Sequence, residues 1–236
     1  MAVALTGQGL LPFAVPPGYS DETWVETLSA QLVRESLLTA IASGKPERLW
    51  VHGAAGVGKT HGMVHFVAAF GGVYVHASTL TPDELDAMLD TQASPAWLVI
   101  DDVEHWLGDR VDEEALFSLW KRYQGTLVLT ARQSPHRLTW LLPDVQSRAQ
   151  SALVLPFARL TDEELQAVLV RQCAVRGLVL SEDALAFLAV QMPRHPAPLI
   201  QWIERIDQRS LEAQRRLTIP WIRSVLPELR DLKNTE

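Results

Sequence analysis

Eight consecutive residues, Gly53, Ala54, Ala55, Gly56, Val57, Gly58, Lys59 and Thr60, follow the apolar run LWVH and precede a segment of helical composition, Met63 to Phe70. Glycines at 53, 56 and 58 let backbone N–H groups turn toward an anion, and the start of a helix adds a favourable dipole. In a phosphate-binding loop of this G-x-x-x-x-G-K-[ST] form, Lys59 is the cation for the β- and γ-phosphates and Thr60 a hydroxyl ligand for Mg2+. The alternative, a glycine-rich turn that merely joins strand to helix, does not require the Lys-Thr pair. A second string, WLVIDDVE at 97–104, is an apolar run ending in two adjacent carboxylates. Asp101, at the carboxyl edge of a strand, is placed to hold Mg2+ through water, and Asp102 to orient an attacking water. A strand ending in Asp is common; the phosphate loop upstream turns the reading toward a metal.

These groups need a scaffold that brings strand ends together. Five short apolar runs, Arg48 to His52, Val73 to Ala77, Trp97 to Ile100, Thr126 to Thr130 and Ala152 to Leu155, alternate with segments of helical period such as Leu28, Leu32, Leu37, Leu38 and Ile41. That alternation predicts an α/β fold with a parallel sheet. Thr81 with Glu84 and Thr161 with Glu164 signal helix starts of the capping-box kind. After Phe157 the strand-like runs stop, and helices are expected around Leu165 to Cys173, Ala184 to Val190, Leu199 to Ala213 and Trp221 to Leu229. MPRHPAP, residues 192–198, reads as a turn with an abrupt helix start near Leu199. The expected division is an N-terminal arm over 1–20, an α/β nucleotide-binding domain over 21–158 and a smaller all-α lid over 159–236.

At 236 residues, 47% hydrophobic and 21% charged, the chain has enough apolar material for a core and a smaller appended unit. Global disorder is excluded by that composition. Apolar runs fall far short of the roughly 18 residues of a membrane span. The start, MAVALTGQGLLPFAV, lacks the basic residues and unbroken apolar run of an export signal. A single cysteine, Cys173, allows no internal disulfide, so a cytoplasmic setting is expected. The net charge of −7 comes from residues 1–158, with 10 basic against 17 acidic side chains, whereas residues 159–236 balance at 11 of each. Neither part is the basic surface of a free-standing duplex DNA binder. Seven histidines and eight tryptophans show no zinc-ligand spacing or stacking register, and read as packing and interface residues.

Taken together, the phosphate loop, the aspartate-terminated strand, a strand ending at Thr130, Arg148 in LLPDVQSR and the helical tail occur in the order found in AAA+ nucleotide-binding proteins. Within that superfamily the chain resembles the DnaA-related proteins, most of all the Hda group of DnaA regulatory inactivators. The strings that carry the likeness are SDETW (20–24), the loop with its following His61, IDDVE (100–104), TARQSPHRL (130–138), LPDVQSR (142–148), LTDEELQAVL (160–169) and QRRLTIPWIRSVL (214–226). The resemblance runs nearly the whole length and stops where DnaA continues into a helix-turn-helix domain, which is expected to favour Hda over DnaA. It implies an adaptor that holds ADP or ATP with Mg2+ at Gly53 to His61, Thr60 and Asp101, with at most a weak ATPase of its own. Asp102 and Thr130 match catalytic and sensor positions. Arg148 matches the arginine finger, which acts in trans to promote hydrolysis of DnaA-bound ATP and so inhibits initiation. QGLLPF, residues 8–13, resembles the peptide that docks on the DNA polymerase III sliding clamp (beta subunit), with Gln8 at the mouth of a pocket and Leu11 and Phe13 as apolar anchors; DNA would then be engaged through the clamp.

The chain also departs from that pattern. Ala197 stands where the lid of the family usually carries a nucleotide-sensing Arg, with Arg194 three residues earlier as a substitute. Arg132 replaces an Asp beside the sensor position. Two other readings remain open at this stage: a self-sufficient AAA+ ATPase, and a DnaA-related adaptor that recruits another partner without the clamp. Monomers, homodimers and nucleotide-dependent oligomers are equally compatible with the sequence.

Overall fold

A computed structural model describes residues 21–90, 95–193, 195–213 and 217–231. Five strands form a parallel sheet: β1 (Arg48–His52), β2 (Val73–His76), β3 (Trp97–Asp101), β4 (Thr126–Ala131) and β5 (Leu153–Pro156). Their spatial order is β2-β3-β4-β1-β5. The central strands β3 and β4 are buried at every position, as expected when helices cover both faces. Those helices are α1 (Leu28–Ser43), α2 (Lys59–Phe70), α3 (Pro82–Asp90), α4 (Arg110–Arg122) and α5 (Pro143–Gln150). One apolar cluster, including Trp50, Leu98, Ile100, Leu116 and Leu119, lies on one face. A second, with Val33, Leu37, Met63, Phe66, Val99 and Phe157, lies on the other.

Order within the sheet follows from the crossovers. β1 pairs with β4 on one side and β5 on the other, so the chain leaves β1 and passes outward to β2 before returning through β3 to β4. The carboxyl ends of β1, β3 and β4 therefore converge, which is where a ligand settles in open α/β sheets. β5 begins one residue later than the apolar pattern suggests, because Ala152 still belongs to the C-terminal turn of α5, its N–H donating to the Ala149 carbonyl at 3.2 Å.

Beyond the sheet, α6 (Asp162–Val175), α7 (Glu182–Gln191), α8 (Pro196–Ala213) and α9 (Ile219–Asp231) enclose their own apolar cluster around Leu169, Leu188, Trp202, Ile206 and Ile222. α8 begins at Pro196 rather than near Leu199. Prolines at 196 and 198 fall in the first turn, whose N–H groups have no intrahelical partner, so the ring costs nothing there. Cys173 is buried in this cluster, and its thiol is pushed up to about 11 by burial, against a smaller downward pull from Arg176. α6 opens with the expected capping box: the Glu164 N–H donates to Thr161 Oγ1 at 3.2 Å while Glu164 Oε2 accepts from the Thr161 N–H at 2.8 Å. The other carboxylate oxygen accepts from the Leu28 N–H at 2.8 Å. One side chain thus caps a helix of the lid and the first turn of α1, joining the two bodies. Among the described residues no helix is long and apolar enough to cross a membrane.

A buried carboxylate fixes the approach to α5. Glu113, with no exposed surface, accepts from the N–H groups of Leu141 (3.0 Å) and Leu142 (2.8 Å) and from Gly108 (3.2 Å). Removing it takes the shared acceptor from three part-buried backbone donors, and a donor left unsatisfied costs about 1–3 kcal/mol. Glu113→Ala is expected to lower unfolding stability by about 2–3 kcal/mol in urea titration; a change below about 0.5 kcal/mol would show that water reaches those amides.

Candidate functional site

The loop between β1 and α2 is shaped by close approach and by backbone conformation. A Cβ at Gly53 would lie 2.3 Å from the carbonyl oxygen of Phe157. Gly58 adopts φ +105°, a region side chains avoid. The Gly53 N–H donates to the Ala131 carbonyl at 3.1 Å, pinning the start of the loop to the end of β4. Lys59 is buried, and its ammonium donates to the carbonyls of Gly53 (2.7 Å) and Ala54 (3.3 Å), so the cation sits at the base of the loop. Its pKa is lowered, chiefly by burial, while Asp101, Asp102 and Glu104 pull it up and Arg132 pushes it down. His52, at the end of β1, is likewise held below its ordinary value by burial first and then by Arg137 and Lys59.

Asp101 is the organising group. Only 1% of it is exposed, and its carboxylate accepts three hydroxyl hydrogen bonds. Thr60 Oγ1 donates to Oδ2 at 2.8 Å, Tyr74 Oη donates to the same oxygen at 2.7 Å, and Thr130 Oγ1 donates to Oδ1. Thr130 Oγ1 in turn accepts from the Asp102 N–H at 2.9 Å. Four elements meet at one carboxylate. The residues singled out from sequence as a metal pair, Thr60 and Asp101, are adjacent, and Thr130 and Asp102 lie in the same network. Tyr74 was not legible beforehand: in the run VYVH it reads as an ordinary strand aromatic.

Asp102 takes a left-handed conformation (φ 57°), which Asp tolerates better than most residues. That turn sets its carboxylate 3.7 Å from His105 Nδ1. Beside it, Glu104 Oε2 accepts from the Arg132 N–H at 3.0 Å, and with His105 and Gln133 these side chains border an open polar pocket. A hydroxyl and a carboxylate from different elements, next to a glycine-rich loop at a helix start and a buried ammonium, are suited to a divalent cation and a polyphosphate.

The lid reaches the loop at Ala197. Its N–H lies 3.4 Å from the Gly56 carbonyl, and a Cβ on Gly56 would come within 3.2 Å of its methyl. This position faces the phosphate loop with no charged group. Arg194 lies outside the described residues, as do Gln8, Leu11 and Phe13 and the rest of the arm over 1–20. His61, in the first turn of α2, packs edge-on against Trp24, whose ring stacks on His65 at 4.7 Å.

Arg148 stands apart from this cluster. It occupies the last turn of α5, which packs on α4, and its guanidinium lies 5.0 Å from the ring centroid of Phe117. The chain enters β5 at Leu153, which pairs with Leu49 near the start of β1, whereas the phosphate loop follows His52 at the end of that strand. Four residues of parallel strand, about 13 Å, separate the two levels. Arg148 therefore belongs to the opposite edge of the sheet from the loop.

Phosphate loop, aspartate-terminated β3, hydroxyl at the end of β4 and a helical lid together define a AAA+ nucleotide-binding fold. Residues 162–226 match the family model described as "Hda, lid domain". Domain III of the Thermotoga maritima replication initiation protein DnaA aligns with a TM-score of 0.74 at 18% identity, over 91% of this chain and 98% of that one. AMPPCP-bound DnaA from Aquifex aeolicus aligns at 0.65 and 17%, over 84% and 68%. The Thermotoga maritima RuvB Holliday junction branch migration motor gives 0.67 and 16%, over 92% and 73%. In sequence, an uncharacterized protein of Haemophilus influenzae is 29% identical over 207 residues, 83% of this chain and 88% of that protein. The chain has the fold of DnaA domain III, and its residues 162–226 are similar to the Hda lid domain.

Removing one hydroxyl from Asp101 tests the network without touching the loop. Tyr74→Phe is expected to cost about 1.5–3 kcal/mol, the usual value of a hydrogen bond to a charged group, in chemical denaturation. Unchanged stability would mean that a water replaces the phenol.

Proposed function

We propose that this chain is a negative regulator of replication initiation: a cytoplasmic, nucleotide-bound adaptor that docks on the beta sliding clamp of DNA polymerase III and stimulates hydrolysis of DnaA-bound ATP. The observation that carries this reading is the position of Arg148. Set at the opposite edge of the sheet from its own phosphate loop, its guanidinium cannot serve a nucleotide held there, yet it is half-buried and stacked on Phe117. Such a group is suited to a nucleotide on another molecule. The Hda-type lid and the DnaA-like fold support DnaA as that molecule.

In this reading ADP or ATP occupies the chain's own loop between Gly53 and Thr60, with Lys59 as the cation for the phosphates. Mg2+, when bound, neutralises phosphate charge next to Thr60 and Asp101. Thr130 holds the Asp101 carboxylate in place, and Asp102 stands beside it. Ala197 supplies no charge from the lid, which supports slow hydrolysis at this site and a role for the nucleotide in holding lid and core together. Gln8, Leu11 and Phe13 dock the chain on the clamp, concentrating it on DNA. Arg148 then stabilises the charge that develops on the phosphoryl group of DnaA-bound ATP, an effect on the order of a thousandfold or more. Stacking on Phe117 limits the freedom the guanidinium loses on engagement.

The deciding measurement is turnover of DnaA-bound ATP with DNA-loaded clamp. Wild-type chain should accelerate it, and Arg148→Ala should abolish the acceleration, by about a thousandfold, while retaining nucleotide binding. Failure of the wild-type chain to stimulate cognate DnaA would overturn the proposal; rapid hydrolysis of its own ATP, indifferent to clamp and DnaA, would identify a self-sufficient ATPase instead. Separately, ADP with Mg2+ at about a hundredfold over its Kd should stabilise the wild-type chain by about 2.7 kcal/mol in thermal unfolding. Lys59→Ala should erase that shift, and a shift of full size in the variant would exclude the loop as the binding site.

A further inference from the structure

Arg148 is carried by a helix that has little of its own to hold it in place. α5 has eight residues, below the roughly 12–15 under which an isolated helix is marginal in water. Its N-cap, Leu142, offers no side-chain acceptor to the first turn. The buried positions along it are Val145 and Ala149, an apolar face one turn long. At its far end Ser151 Oγ donates to the Arg148 carbonyl at 2.7 Å.

α4 supplies what α5 lacks, at two points on one face. Glu113 and Phe117 are four residues apart on α4, so their side chains project side by side. The Glu113 carboxylate, with no exposed surface, accepts from the N–H groups of Leu141 and Leu142, immediately before α5, and from that of Gly108. Hydrogen bonds to an ionised acceptor are about twice as strong as neutral ones, and negative charge at this end complements the dipole of α5. The Phe117 ring meets the Arg148 guanidinium toward the other end of the helix, 5.0 Å from its centroid. One face of α4 thus holds α5 just before its first residue and again at Arg148.

We propose that Glu113 is a positioning residue for Arg148: by holding the N-terminus of α5 it sets where the guanidinium points toward a nucleotide on another molecule. This rests on the trans-acting reading of Arg148 above. The two contacts are not equivalent. A ring face tolerates sliding of the cation across it, whereas hydrogen bonds to two successive N–H groups fix both the position and the direction of the helix start. Each partner of Glu113 named here is a donor, so the site calls for a group that only accepts, which is an ionised carboxylate. A glutamine keeps one acceptor oxygen and turns an NH2 group toward the same N–H groups. α5 then loosens at its first turn, and the guanidinium loses its geometry. Misplacement of a reacting group by about 1 Å costs up to about a hundredfold in rate.

The test is turnover of DnaA-bound ATP with DNA-loaded clamp, measured against the concentration of the whole chain for wild type, Glu113→Gln and Glu113→Asp. Amide hydrogen exchange and the thermal shift given by ADP with Mg2+ are recorded for each chain. Glu113→Gln should lower the maximal stimulation by about ten- to a hundredfold with the half-saturating concentration nearly unchanged. Its amides should exchange faster in α5 and not in α2 or the sheet, and the ADP shift should persist. Glu113→Asp keeps the charge and both oxygens, drawn back by one methylene, and should recover part of the lost stimulation; it also serves if the Gln variant unfolds. Undiminished stimulation, a loss expressed as weaker half-saturation alone, or faster exchange throughout the core overturns the positioning role and leaves the reading of Arg148 standing. Absence of stimulation by the wild-type chain overturns that reading together with this inference.

Discussion

A single buried carboxylate ties the phosphate loop to the sheet, and the rest of the site depends on how it is satisfied. Asp101 has almost no contact with solvent; Thr60, Tyr74 and Thr130 bring it three hydroxyls from α2, β2 and β4. A buried charge without such partners would be strongly unfavourable. The register of β3 and β4 sets Thr130 beside Asp101, and Tyr74, two residues before His76, the β2 partner of Asp101, reaches it through the length of its side chain. The same network sets the Thr60 hydroxyl against the Asp101 carboxylate, the pair proposed above to hold a divalent cation.

The lid is joined to this core by few, directional contacts. Glu164 caps α6 and reaches the Leu28 N–H, Ser29 Oγ accepts from the Ala158 N–H at 3.0 Å, and Ala197 meets Gly56. Each contact falls at a helix terminus, where backbone groups lack intrahelical partners and are free to bond across a boundary. Apolar burial within the lid is kept to its own cluster, with Val25 and Leu160 at its margin.

Charge is distributed to match the two edges of the sheet. At the carboxyl edge, burial first lowers the pKa of both Lys59 and His52; Asp101, Asp102 and Glu104 oppose this at Lys59, and Arg137 with Lys59 adds to it at His52. At the amino edge, Arg148 and Lys121 share the face of Phe117, with Lys121 Nζ 5.3 Å from the ring centroid. Two cations against one ring make this corner of the molecule electropositive.

Much of this was written in the local sequence. The G-x-x-x-x-G-K-T string, the apolar runs and the capping residues of α3 and α6 act over a few residues, so β1, β3, the phosphate loop and the alternation of strand and helix were legible from spacing alone. The N-terminal arm with Gln8, Leu11 and Phe13 is an expectation from a motif and lies outside the described residues. Only the tertiary structure decided what depends on crossovers. Strand order placed Tyr74 on Asp101, although nothing in VYVH distinguishes that tyrosine. Folding of the lid onto the loop brought Gln172 opposite Thr23, 149 residues away. The level of β5 against β1 put Arg148 out of reach of its own loop. Motifs encode chemistry that neighbours in sequence can build; the long-range pairings of a parallel sheet, separated by whole helices, determine which side chains share a site.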